Sequence, residues 1–108
     1  GDSDTKAECD AMFAREILSY RDGLGRYFAD KTKQFFLPVS RHVAFVSLAY
    51  NVGIAGAGKS TAVRRLNTAD IVGACEALTW WNKAGGRGIR GLVRRRTAEH
   101  AKCMLGVA

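Results

Sequence analysis

Residues that could hold a sugar gather in the last third of the chain, where Trp80, Trp81 and Asn82 run into Lys83, Ala84, Gly85, Gly86 and Arg87. Aromatic faces stack on the apolar face of a sugar ring, while side-chain amides and exposed backbone N–H groups bond hydroxyls and N-acetyl groups. Tyr50, Asn51, Val52 and Gly53 supply a second aromatic and a second amide upstream. Neighbouring residues on a helix diverge by about 100°, so Trp80 and Trp81 cannot share an environment. One suits the core and the other a cleft, with plain packing the competing account of either.

Gly53 to Ser60 matches the G-x-x-x-x-G-K-[ST] pattern at every fixed position. A phosphate-binding loop needs a buried strand before it, a helix after it whose first amides hold the phosphates, and an acidic residue on a second strand. The segment before Gly53 reads as helix and no apolar strand ending in Asp follows, so a glycine turn between helices is expected, with no nucleotide. Arg87, Arg90, Arg94, Arg95 and Arg96 crowd a second segment. On a helix, Arg94 to Arg96 spread over about 200°, so at least one must point toward the protein or a cleft edge. A basic nucleic-acid-binding module would want them on one face.

Seventeen Lys and Arg against ten Asp and Glu give a formal charge of +7, which favours a polyanionic partner or surface, nucleic acid and the bacterial envelope both qualifying. The chain of 108 residues suits one small domain. No apolar run approaches the roughly 20 residues of a membrane span, and Gly1 to Asp10 is too polar for a signal peptide. Cys9, Cys75 and Cys103 lack metal-ligand spacing, and His42 and His100 stand alone as expected surface groups, so no metal or other cofactor is called for. The thiols read as buried, or Cys75 and Cys103 as bonded if the protein works outside the cytosol.

The elements that must position these groups are helical. Thr5 and Glu8 form a capping box for a helix over Lys6 to Tyr20, which Gly23 and Gly25 interrupt. Ser40 to Val52 is apolar nearly all round, as in a helix buried centrally. Ser60 can cap a short helix through Leu66, and Thr68 another that runs to the tryptophans. A last helix from Ile89 to Leu105 turns Leu92, Val93, Ala101, Met104 and Leu105 inward. The fold class is all-α, with five or six helices and no hairpin signal.

The order and spacing of Thr5 to Cys9, Ala49 to Gly53, Ser60, Thr61, Arg64, Leu66, Asn67, Asp70, Gly73 to Cys75, Trp81 to Gly86, Gly91, Leu92, Arg95, Arg96 and Glu99 resemble the phage-type lysozymes, the endolysin muramidases. The resemblance implies a compact C-terminal helical lobe over residues 1–108 forming one wall of a peptidoglycan cleft, with Tyr50, Asn51, Val52, Trp81, Asn82 and Gly86 facing the glycan. It implies cleavage of the bond between N-acetylmuramic acid and N-acetylglucosamine during host lysis, in the host cytoplasm first and then the periplasm or cell wall. The family's catalytic glutamate, and the aspartate and threonine of its β-hairpin, have no match before Thr5. Glycoside hydrolysis needs a carboxyl with raised pKa facing a second carboxylate or a held water. Glu8, Glu16, Glu76 and Glu99 match helix-surface positions instead. The expectation is therefore a chain without catalytic residues and inactive by itself, either a truncated lysozyme or a lysozyme-like remnant that binds without cutting, with self-association open to it through surface a second lobe would cover; the alternative is a non-catalytic peptidoglycan-binding or nucleic-acid-binding basic module.

Overall fold

The computed structural model describes residues 15–84, 87–88 and 90–107. Helix α1 occupies residues 15–25, a π-helical turn Thr32–Phe36, α2 Val39–Val52, α3 Ile54–Gly58, α4 Thr61–Asn67, α5 Ile71–Leu78 and α6 Arg90–Met104. Strands β1 (Lys83–Ala84) and β2 (Arg87–Gly88) pair antiparallel, Lys83 opposite Gly88 and Ala84 opposite Arg87. The fold is all-α apart from this small hairpin, whose two-residue strands are too short to show the alternation that marks a strand. The capping box at Thr5 and Glu8, and Cys9, lie outside the described residues.

Gly23 and Gly25 do not interrupt the first helix, which runs through residue 25. A Cβ on Gly23 would lie 2.6 Å from the Ile54 side chain, so this glycine gives up helix propensity to let α1 approach α3. At Gly53, φ is +98°, which turns the chain sharply from α2 into α3 while its N–H donates to the Ala49 carbonyl at 2.8 Å. Ser60 caps α4 as expected, accepting from the Val63 N–H at 3.3 Å. The cap of α5 is Asp70, accepting from the Gly73 N–H at 3.0 Å, and not Thr68. The Thr68 hydroxyl instead closes α4 by donating to the Arg65 carbonyl.

Leu24, Phe28, Phe45, Leu48, Val63, Leu66 and Leu78 are buried together, with α2 packed mainly against α6 and α4 against α5. Each such side chain contributes roughly 1.5 to 3 kcal/mol by leaving water. Only one side of α2 is covered among the described residues. Ala44, Phe45, Leu48 and Ala49 are buried, whereas Val39 is 81% exposed and Val43 44%. The all-round apolar pattern therefore marks a helix with two apolar faces, one in the core and one along an open groove.

Helix α6 also departs from its expected register. Met104 packs on the core and Leu92 is half-buried as expected, but Val93 and Leu105 are exposed and Ala101 faces outward. The inward row is Arg96, Glu99 and Cys103, at the i, i+3, i+7 spacing of one helix face. Cys103 is bonded to Cys75 of α5, with 5.6 Å between their Cα atoms. Closing a loop of 28 residues contributes about 3 to 4 kcal/mol in the chain-entropy account. Arg41 ties the far end, its Nε donating to the Cys103 carbonyl at 2.8 Å and its Nη1 to the Phe36 carbonyl at 2.9 Å.

Candidate functional site

The candidate site is organised by a buried charge pair on α6. Arg96 is 1% and Glu99 3% exposed. Arg96 Nη2 donates to Glu99 Oε2 at 2.7 Å, and its Nε makes an ion-pair contact with Oε1 at 2.6 Å. Ser47, on α2, donates its hydroxyl proton to Glu99 Oε2. Burial pushes the Glu99 carboxyl above the usual carboxylate range, with the Ser47 hydroxyl and the Arg96 and Arg95 charges opposing it. Glu99 is thus not a helix-surface residue, because it balances an arginine that the fold draws inward. Of the three consecutive arginines, Arg96 is the one that points into the protein, while Arg94 and Arg95 are exposed.

The rest of the Arg96 fork holds two of the expected glycan-facing residues. Nη1 donates to Asn51 Oδ1 at 3.1 Å and makes a long 3.5 Å contact with the Trp81 carbonyl. A planar guanidinium with five donors suits such multi-point bridging. One side chain therefore joins the end of α2, the segment after α5, and α6. Asn51 is exposed, Trp81 and Asn82 are half-buried, and Val52 packs on the core beside Trp81. Tyr50 leans away from this cluster, its ring edge-on to Tyr20 with centroids 5.3 Å apart. Gly86 lies outside the described residues.

The two tryptophans separate as their adjacency requires. Trp81 packs against the core, and its ring would lie 3.9 Å from a Cβ on Gly56. Trp80 is 53% exposed, with the Arg65 guanidinium 4.9 Å from a ring centroid. Sequence reasoning missed the clamp itself, because nothing in a run of three arginines says which one is buried. The one available signal was the i, i+3 spacing of Arg96 and Glu99, a favourable helical ion-pair arrangement.

The Gly53 to Ser60 segment is a short helical turn following the bend at Gly53, as the glycine-turn expectation has it. The Ala57, Lys59 and Ser60 N–H groups donate to the Gly53, Ala55 and Ala57 carbonyls at 3.0 to 3.1 Å. Amides committed in this way are not presented to a phosphate. Among the described residues no group of three metal-ligating side chains forms, and no helix is long and apolar enough to cross a membrane. Glu99 is the described carboxyl whose pKa is raised, and the Arg96 and Ser47 contacts close it off from any ligand.

The uncovered side of α2 faces a groove with a cavity volume of about 750 Å³, with Leu18, Val39, Val43, Val46 and Tyr50 on its apolar walls. His42 adjoins it and is half-buried rather than a surface group, its ring edge-on to Phe28.

Comparison with known proteins agrees with this architecture. The phage lysozyme family model matches residues 1–99. A SAR-endolysin of Enterobacteria phage P21 is 35% identical over 106 residues, covering 98% of this chain and 61% of that protein. An endolysin of Bacillus phage B103 is 33% identical over 104 residues, 96% of this chain and 37% of that protein. The structure of an endolysin from Escherichia coli O157:H7 phage FAHEc1 superposes with a TM-score of 0.78 at 25% identity, over 94% of this chain and 63% of that one. The chain thus spans about three fifths of the length of its phage P21 relative. With a family match over nearly its whole length and a fold shared with a solved endolysin, the chain belongs to the phage lysozyme family.

Proposed function

We propose that this chain forms the helical wall of a peptidoglycan-cleaving endolysin and holds the glycan while the bond between N-acetylmuramic acid and N-acetylglucosamine is cut during host lysis. The observation that supports this reading best is the Arg96 fork, which gathers Asn51 and the Trp81 backbone into one rigid edge. A surface that binds sugars needs its amide and aromatic groups held in place before the ligand arrives. Asn51, Trp81 and Asn82 form the centre of this wall, with Val52 behind them and Tyr50 at its margin; Gly86 belongs to the same reading by sequence. The Cys75–Cys103 bond suits an oxidising compartment, as action in the periplasm or at the cell wall after leaving the host cytoplasm requires.

In this reading the described residues supply glycan holding and not proton transfer. The 108-residue chain is expected to be retained on purified peptidoglycan without clearing a suspension of it. Clearing by this chain alone would place an acid–base pair within it and overturn the division of labour. Failure to be retained would remove the glycan-holding role itself. Self-association through the apolar groove beside α2 belongs to the same reading. Light scattering that finds a strict monomer at high concentration would contradict that part.

A further inference from the structure

A second depression lies on the other side of His42, away from the glycan-facing edge. It has a cavity volume of about 440 Å³ and sits between the end of α1, the π-helical turn and the first turn of α2. Arg21, Arg26 and Lys33 rim it, and Phe28 and Leu37 form its apolar walls. Asp22 is the acidic residue of the lining, and it is engaged by Arg21, whose Nη2 donates to it at 3.1 Å. Neither Arg26 nor Lys33 makes an ion pair among the described residues.

His42 contributes to this depression from α2, and its buried Nε2 has no hydrogen-bond partner among the described residues. Burial, and then the neighbouring Arg21 charge, hold the His42 imidazole below its ordinary range, so its titration reports on charge entering the depression. The excess of cations and the apolar walls call for one ligand chemistry. It is a compact anion with several acceptor oxygens, carried on a small organic group.

We propose that this depression is a binding site for a phosphoryl dianion, borne on a phosphate-monoester headgroup or as free phosphate. Arginine forks match the phosphoryl oxygens in pairs and lysine adds a point charge, while Phe28 and Leu37 accept the organic substituent. The volume falls within the range of small-molecule sites. Arg26 and Lys33 are exposed, so replacing them leaves the core untouched.

The test follows the His42 ring by NMR against pH, with and without inorganic phosphate, in the 108-residue chain. An anion within contact distance raises the His42 pKa by roughly one. The rise should disappear in Arg26→Gln/Lys33→Gln and persist in Arg94→Gln/Arg95→Gln, which removes the same charge from exposed positions on α6. A parallel arm measures sedimentation with vesicles of phosphatidylcholine and phosphatidic acid. A His42 response to phosphate with vesicle binding unaffected by the Arg26/Lys33 change identifies a free-phosphate site, and loss of vesicle binding confined to the Arg26/Lys33 variant identifies a headgroup site. An unchanged His42 pKa together with equal vesicle binding by both double variants would overturn the proposal. So would equal losses in the two.

Discussion

Helices α5 and α6 are joined by a disulfide and pack on the same core, yet they bury opposite kinds of surface. Helix α5 turns Ala74, Cys75, Ala77 and Leu78 inward, whereas α6 turns Arg96, Glu99 and Cys103 inward. An apolar face needs only to leave water, but a charged one must be paired and hydrogen-bonded in full to be tolerated. The α5 face therefore serves stability. The α6 face is better understood as a device that fixes Asn51 and the Trp81 carbonyl relative to each other, with stability a condition of its existence rather than its product.

The largest expected effect separates these two roles. Glu99→Ala removes the acceptor shared by the buried Arg96 guanidinium and the Ser47 hydroxyl, and should lower unfolding free energy in urea by about 3 to 5 kcal/mol. Replacing both partners, as in Arg96→Met/Glu99→Leu, should recover most of that loss, because well-packed apolar side chains substitute for a buried ion pair at little cost. If the double variant is as unstable as the single one, the pair is holding the fold itself. Reducing the Cys75–Cys103 bond comes next, with a loss of about 3 to 4 kcal/mol read from the denaturation midpoint. On α5, Leu78→Ala should cost about 3 kcal/mol by opening a cavity. Smaller again is Asp70→Ala, which removes the α5 cap for about 1 kcal/mol in thermal unfolding.

The comparison also has a pH signature. Burial raises the Glu99 pKa in the folded chain, so the folded state holds that proton more tightly than the unfolded one. Its contribution to stability is then full below the unfolded carboxyl pKa and is lost as pH rises through the folded value. Glu99→Gln should flatten this part of the stability profile above about pH 4. Leu78→Ala should shift the profile without changing its slope.

The same contrast explains what could be read from the residues alone. Helix α2 was legible within one residue at its start because Val43 to Val52 is dense in apolar side chains, and α4 was legible because Ser60 is a strong cap. The outcome for α2's second face was not, since periodicity records that a face is apolar and not whether anything covers it. For α6, an apolar-inward rule selects Leu92, Val93, Ala101, Met104 and Leu105, of which Met104 packs on the core, while the fully buried row is Arg96, Glu99 and Cys103. Geometry dictated that one arginine of the run must turn inward, but selecting Arg96 required knowing that Ser47, Asn51 and Glu99 converge in space. Thr68 and Asp70, two residues apart, are both cap-forming types, and only the fold separates their roles: Asp70 starts α5 and Thr68 closes α4.

The measurement that tests the central claim most directly is retention of Arg96→Met/Glu99→Leu on purified peptidoglycan, beside the unaltered chain and Trp81→Ala. With the fold preserved by apolar packing, Asn51 and the Trp81 segment are released from their common anchor. Retention should then fall by roughly tenfold, equivalent to about 1.4 kcal/mol, alongside a comparable fall for Trp81→Ala. Undiminished retention by the folded double variant would mean that the buried pair is not what holds the glycan-facing edge in place.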